Sequence, residues 1–138
     1  MSSGQPLSGK RIVVVEDDPV TKINVEHIVR MAGGIIAKSH SDPIDAAILD
    51  VGLAHGATVI PIAIALRSRG VPFVFYTGCG AATQAVLRHE FEGCAFLQKP
   101  ASGATLIKTV ATLLEQQKPP WTTSASYKTP PRRQPRRF

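Results

Sequence analysis

Short apolar runs, each bounded by polar or turn-forming residues, recur along the chain at residues 11–15, 46–49, 73–76 and 94–98. Runs of this length and composition are typical of the buried strands of a parallel sheet. Residues 35–38 form a weaker apolar run. The pattern therefore predicts four strands and a short candidate fifth.

Between these strands, apolar residues recur at the three- and four-residue spacing of helices. Asp18 and Pro19 supply a cap and a first-turn proline, and the helix that follows should end at Gly33. Further helices are predicted over residues 61–68, over residues 81–89 and, after a Ser102 cap, along the apolar stripe at 106–114. Strands that alternate with helices predict an α/β fold with a parallel sheet.

Charged residues directly follow three of the predicted strands. Glu16 and Asp17 follow the first strand, Asp50 follows residues 46–49, and Lys99 follows the last strand. In open α/β sheets the carboxyl ends of the strands form the edge where ligands bind. The carboxylates and the amine are therefore predicted to converge on one site.

Four motifs in this order resemble the receiver domain of bacterial two-component response regulators. They are VVVEDDP at 13–19, AILD at 47–50, FYTG at 75–78 and FLQKP at 96–100. Each motif alone has low specificity, but the four together, each at the end of a predicted strand, are specific. The resemblance covers residues 10–117 and implies a flavodoxin-like (CheY-like) doubly wound parallel sheet.

The resemblance also implies a phosphoacceptor and a metal site. Asp50 would accept a phosphoryl group from a phosphohistidine. The Mg²⁺ ligands would be the side chains of Glu16, Asp17 and Asp50 and the backbone carbonyl of Gly52. The incoming group adds negative charge to an acidic site, which a hard cation held by oxygen ligands can neutralise.

Three further residues are given roles by the resemblance. Lys99 would pair with the phosphoryl oxygens, and the Thr77 hydroxyl would reorient to bond another of these oxygens. Phe96 would be the aromatic residue whose position is coupled to that reorientation. Plainer interpretations stay open, because a threonine before Gly78 can be a turn residue and an aromatic residue on a strand can belong to the core.

The segment between Asp17 and Asp50 is shorter than is usual in this family by about the length of a helix. Residues 39–45 are too few for a helical crossover. Fully extended, these seven residues span at most about 23 Å. The path back along the sheet to the start of the next strand is about 20 Å, so an extended link can cover it. We therefore predict that the second helix is missing, with apolar surface uncovered on one face of the sheet, and that the second strand is retained, lost or swapped with a second copy.

Composition limits the organisation of the chain. At 138 residues with 43% apolar residues there is material for one core, and Cys79 and Cys94 fit neither a disulfide framework nor a zinc site. Residues 1–9 are predicted to be flexible, residues 10–117 to form the domain, and residues 118–138 to be a disordered Pro- and Arg-rich tail. The tail carries six basic residues and no acidic residue, which accounts for the whole net charge of +6. No membrane span or signal sequence is recognised, so we expect a cytoplasmic protein.

These observations predict a single-domain response regulator that is not an enzyme beyond its own phosphotransfer and dephosphorylation. Its partners would be a sensor histidine kinase or a phosphotransfer protein, a second copy in a homodimer, and a protein target that the sequence does not identify. The alternative is a receiver-like dimerisation or interaction module that works without phosphorylation. A nucleic-acid role would depend on the tail alone, which lacks a recognition helix and would bind only through charge, although the tail could equally serve as a solubilising segment.

Overall fold

The computed structural model describes residues 5–51, 56–78 and 80–116, and the predicted tail lies outside them. The elements in chain order are β1 (Arg11–Val15), α1 (Pro19–Met31), β2 (Ile35–Ile36), β3 (Ala46–Leu49), α2 (Gly56–Ser68), β4 (Phe73–Thr77), α3 (Ala81–Glu90), β5 (Ala95–Gln98) and α4 (Gly103–Gln116). The strands form a parallel sheet in the order β2-β1-β3-β4-β5. The predicted doubly wound α/β fold is confirmed, and β2 is retained beside β1 of its own chain.

The two faces of the sheet carry separate apolar layers because successive side chains of a strand point to opposite faces. On one face, Ile12 and Val14 of β1 pack with α1 and α4. On the other face, Val13 packs with α2 and α3, together with an aromatic cluster of Phe73, Phe75 and Phe91. The candidate site lies at the carboxyl ends of the strands, between the two layers.

The helix ends follow the predicted caps except at α2. The Asp18 carboxylate accepts a hydrogen bond from the backbone N–H of Thr21, and the Ser102 hydroxyl accepts one from Thr105 at 3.1 Å. The sequence predicts that the helix after β3 begins at Pro61, but α2 begins at Gly56 and contains Pro61 in its interior. The sequence rule favours proline in a first turn, and here the apolar packing of α2 outweighs the missing backbone donor.

The predicted absence of a helix between β2 and β3 is confirmed, because residues 37–45, all of them described, contain no helix. This link is held from two sides. The Arg69 guanidinium donates hydrogen bonds to the carbonyls of His40 and Asp42, and Arg11 donates to a third carbonyl of the link at 2.8 Å.

The apolar surface expected from the missing helix is confined to the β2 edge of the sheet, where Ile35, on the same face as Val13, is 46% exposed. Val13 and Ala37 are 4% exposed and Ala47 is fully buried. Ile44 of the link packs against this layer. The link therefore covers this face beside β1 and β3 but leaves Ile35 at the β2 edge exposed.

The start of the domain lies earlier than predicted. Leu7 is fully buried in the layer of α1 and α4, and its N–H bonds the carbonyl of Ala32 at 2.9 Å. A Cβ at Gly34 would lie 2.6 Å from Val29, so this close packing requires a glycine. Residues 5–9 are thus part of the folded unit and not a flexible terminus. Within the described residues, no helix is long and apolar enough to cross a membrane.

Candidate functional site

The sheet register brings the predicted site residues together at one edge. Val15 of β1 pairs with Leu49 of β3, so the residues that follow them, Glu16 and Asp50, are neighbours. On the other side of β3, β4 ends at Thr77, and the N–H of Lys99 bonds the carbonyl of Thr77 at 2.8 Å. The predicted convergence of the carboxylates and the amine is therefore found in the structure.

Lys99 links the two buried carboxylates. Its Nζ lies 2.9 Å from Oε1 of Glu16 and 3.0 Å from Oδ1 of Asp50. Burial alone would lower the pKa of Lys99, but the hydrogen bonds to Glu16 and Asp50 and their charges outweigh that effect and raise the pKa. The ammonium therefore stays charged and neutralises part of the acidic site.

Three carboxylates form a compact oxygen cluster. One oxygen each from Glu16, Asp17 and Asp50 lies within 4.8 Å of the others. Asp50 is 9% exposed, whereas Asp17 is exposed to solvent. This donor set suits a hard divalent cation. Gly52, the predicted fourth ligand, lies outside the described residues.

Asp18 has a different role from its acidic neighbours. Its carboxylate accepts hydrogen bonds from both the N–H and the hydroxyl of Thr21, and these bonds lower its pKa. The backbone N–H of Asp18 in turn donates to Oε2 of Glu16 at 3.2 Å. Asp18 therefore caps α1, as predicted, and holds Glu16 in place through its backbone.

Thr77 is fully buried at the end of β4. Its hydroxyl donates a hydrogen bond of 2.7 Å to the carbonyl of Val51, in the loop after Asp50. A turn residue at the surface would not show this burial. The hydroxyl thus ties β4 to the loop of the candidate phosphoacceptor.

Phe96 lies on β5 between two side chains. Its ring centroid is 5.0 Å from that of Phe75, and the Arg88 guanidinium of α3 lies 4.3 Å above the ring. Phe96 is half-buried, so it belongs to the apolar layer and also reaches the surface. Both predicted interpretations, core residue and mobile aromatic residue, fit this position.

Sequence reasoning missed two contributors to the site. The Tyr76 ring lies 5.4 Å from Nζ of Lys99, and its hydroxyl accepts a hydrogen bond from the N–H of Ala101. The carbonyl of Val51 is the acceptor for Thr77. Strand alternation places Tyr76 on the opposite face from Phe75, and this could have indicated that the Tyr76 ring flanks Lys99. The contact to the Val51 carbonyl could not be predicted, because every residue has a backbone carbonyl.

Comparison with known proteins decides the fold family. No protein-family model matches the sequence, and no curated protein matches it significantly. A response regulator receiver protein from Burkholderia phymatum is 25% identical, with a TM-score of 0.64 over 77% of this chain and 95% of its own. A response regulator receiver domain protein (CheY-like) from Methanospirillum hungatei JF-1 is 22% identical, with a TM-score of 0.65 over 78% and 95% of the two chains. This chain has the fold of a response regulator receiver domain.

A larger protein contains the same receiver fold as part of its length. Full-length FixJ from B. japonicum is 19% identical, with a TM-score of 0.67, and the match covers 86% of this chain and 64% of that one. At these identities the likeness establishes the fold. In this chain, Glu16, Asp17, Asp50, Thr77 and Lys99 lie at the carboxyl edge of the sheet of that fold.

Proposed function

We propose that this receiver domain accepts a phosphoryl group on Asp50 from a phosphohistidine of a sensor kinase or phosphotransfer protein, and signals through altered protein contacts. The observation that carries the proposal is the contact between Asp50 and Lys99 at the carboxyl edge of the sheet, 3.0 Å from Oδ1 to Nζ. An amine at this distance offers a positive charge to the oxygens of an incoming phosphate.

The transfer step needs an ionised carboxylate in a fixed orientation. Oδ1 of Asp50 accepts the hydrogen bond from Lys99, which leaves Oδ2 to form the new bond to phosphorus. As this bond forms, the phosphorus–nitrogen bond of the phosphohistidine breaks, and its electron pair stays on the imidazole, which then takes up a proton. Catalysis of this kind consists mostly of positioning and charge stabilisation, so Asp50 needs no proton-transfer partner.

The oxygen cluster fits Mg²⁺ as the cofactor of this step. Glu16, Asp17 and Asp50 would hold the ion, and the ion would supply neutralising charge for the phosphoryl oxygens. Lys99 contacts two of these carboxylates, those of Glu16 and Asp50. Its ammonium would move from Glu16 toward the new phosphoryl oxygens. The backbone carbonyl of Gly52 remains a predicted further ligand.

Altered contacts could arise from Thr77 and Phe96. A Thr77 hydroxyl that turned toward a phosphoryl oxygen would give up its bond to the carbonyl of Val51. The half-buried Phe96 ring is held by Phe75 on one side and Arg88 on the other. A shift of β4 at Thr77 would therefore reach the surface through Phe96 and Arg88.

The exposed side of α1 supports a protein donor. Val20, Ile23 and Met31 are 74%, 67% and 66% exposed, and they lie on one stripe of the helix. The helix begins directly after Asp18, beside the acidic cluster. An apolar stripe that leads to the phosphoacceptor is a suitable surface for the protein that carries the phosphohistidine.

Intact mass after incubation with acetyl phosphate, with and without Mg²⁺, tests the proposal. We expect one phosphoryl addition that requires Mg²⁺ in the wild type and in the matched control Asp42→Asn, and none in Asp50→Asn. Asp42 is half-buried in the link and has the same charge as Asp50, so the control separates loss of the acceptor from loss of charge. Equal addition to Asp50→Asn would contradict the proposal, as would no addition to folded wild type from acetyl phosphate or from any histidine kinase of the same organism.

The stripe on α1 also favours a second candidate, a module that associates without phosphorylation. In that case sedimentation should show a dimer of the unphosphorylated wild type, and Ile23→Glu should convert it to a monomer. The matched control is Ile64→Glu on α2, where the isoleucine is 55% exposed. A monomeric wild type would exclude self-association through this stripe.

A further inference from the structure

A cavity of about 240 Å³ lies at the sheet edge opposite the candidate phosphoacceptor. It opens where β4 and β5 begin, between the end of α2 and the last turn of α4. Its lining includes Arg67, Val71, Phe73, Cys94, Leu113 and Gln116. Most of these side chains are apolar. For comparison, a fully apolar cavity of about 150 Å³ lined by Leu, Ile and Phe holds a benzene ring. This cavity therefore has room for a larger aromatic side chain.

The described part of the chain ends on the rim of this cavity. Gln116 is the last described residue, and it is itself one of the lining residues. The sequence continues Gln117-Lys118-Pro119-Pro120-Trp121. A residue before proline is disfavoured in a helix, and both Lys118 and Pro119 precede a proline. Five residues span at most about 17 Å, which keeps Trp121 within reach of the cavity.

We propose that Trp121 of the same chain docks into this cavity. Its indole would cover the half-buried side chains of Val71, Cys94 and Leu113. Arg67 lies at the rim, 5.6 Å from the Phe91 ring, and an arginine in such a position can also stack on an indole. The proposal concerns a surface remote from Asp50 and does not depend on the proposed function.

The charges around the cavity do not oppose this occupant. Glu92 and Glu115 are exposed and directly adjoin the lining residues Gly93 and Gln116. The segment 118–138 contains six basic residues and no acidic residue. These two carboxylates balance the charges of Arg67 and of Arg69, which is exposed and adjoins the lining residue Gly70, so the rim does not repel the basic segment. Docking of Trp121 would fix the start of that segment beneath β4 and β5.

Trp121 is the only tryptophan of the chain, so intrinsic fluorescence reports on it directly. In the full-length wild type we expect emission at shorter wavelength, and weaker quenching by acrylamide, than in a synthetic peptide of residues 117–138. Leu113→Phe should partly fill the cavity and shift the emission toward that of the peptide. The matched control Thr112→Phe, one residue away on the exposed side of α4, should leave the emission unchanged.

Dilution separates docking within one chain from docking between two chains. The emission of the wild type should not change across a wide range of protein concentration. Peptide-like emission, an emission shift that disappears on dilution, or equal effects of the two phenylalanine variants would each overturn the proposal.

Alkylation of Cys94 gives a second measurement that needs no cavity variant. In a Cys79→Ser background, iodoacetamide should modify Cys94 several-fold faster after Trp121→Ala, because the indole no longer covers the thiol. The matched control Tyr127→Ala should leave the rate unchanged. Equal rates in wild type and Trp121→Ala, with circular dichroism showing folded protein, would overturn the proposal.

Discussion

Lys99 is the residue on which the charge balance of the candidate site depends. It contacts Glu16 and Asp50 at once, and the side chains of these partners are only 4% and 11% exposed. Two carboxylates at such burial repel each other, and the ammonium of Lys99 lies between them. The site is therefore an acidic cluster whose stability depends on one ammonium group.

Lys99→Met should lower the free energy of unfolding at neutral pH by about 1 to 3 kcal/mol, less than the loss typical of a fully buried pair. The pH dependence follows from the raised pKa of Lys99. Its stabilising effect is complete below the ordinary value of 10.5 and is lost as the pH rises through the higher folded value.

Urea unfolding at about pH 9 and about pH 12 measures this effect. Wild type should lose more stability between these values than Lys99→Met does. The exposed Lys108→Met on α4 serves as the control and should behave like wild type at both values. Parallel pH profiles for wild type and Lys99→Met would show that the ion pairs do not stabilise the fold.

At the level of single residues, sequence predicted which groups converge but not how they pair. Asp50 and Lys99 follow apolar strands, and strand ends of a parallel sheet meet at one edge, so their approach could be derived. The ion pair between Lys99 and Glu16 joins residues 83 positions apart and depends on side-chain conformation. The hydrogen bond from Thr77 to the carbonyl of Val51 cannot be predicted from the sequence either, because every residue type has a backbone carbonyl.

At the level of elements, periodic apolar spacing located the strands and helices, while their ends depended on contacts that spacing does not encode. The early start of α2 and the packed segment before β1 are the two differences. Polar composition made residues 1–9 resemble a mobile terminus. The single apolar residue among residues 5–9, Leu7, is nevertheless fully buried, because the turn at Gly33 and Gly34 gives it a place in the core.

Leu7→Ala should therefore lower the free energy of unfolding by about 2 to 5 kcal/mol, the range typical of a buried leucine that leaves a cavity. Pro6→Ala, at the exposed neighbouring position, should change it little. Chemical denaturation of the two variants provides the measurement. A loss below about 0.5 kcal/mol for Leu7→Ala would be the result for a surface position and would contradict the packing described here.

At the scale of the whole molecule, the receiver fold tolerates the missing crossover helix because Arg11 and Arg69, which lie outside the link, donate hydrogen bonds to its carbonyls. The length of the link could be judged from sequence, since seven residues can span the sheet only without a helix. The way it covers the sheet could not, because the contacts come from Arg69, 29 positions from His40 along the chain.

Arg69→Ala should release the link and speed amide hydrogen exchange in residues 38–45 by about tenfold or more, as expected if local opening becomes easier by at least about 1.4 kcal/mol. Exchange in β1 and β3 should change much less. Arg30→Ala serves as the control, since Arg30 pairs only at 4.0 Å with Glu26 on the surface of α1. Unchanged exchange in the link would show that its conformation does not depend on Arg69.

The shortness of β2 has a consequence for how copies of this chain could aggregate. Among the described residues, only Ile35 and Ile36 continue the sheet beyond β1, so this outer margin offers few backbone groups to an incoming strand. Short edge strands protect sheets against growth by strand addition. The opposite margin, β5, offers four residues of backbone. If partly unfolded copies ever extend the sheet from one molecule to the next, growth should start at β5, and a proline placed there at an outward-facing N–H should suppress it.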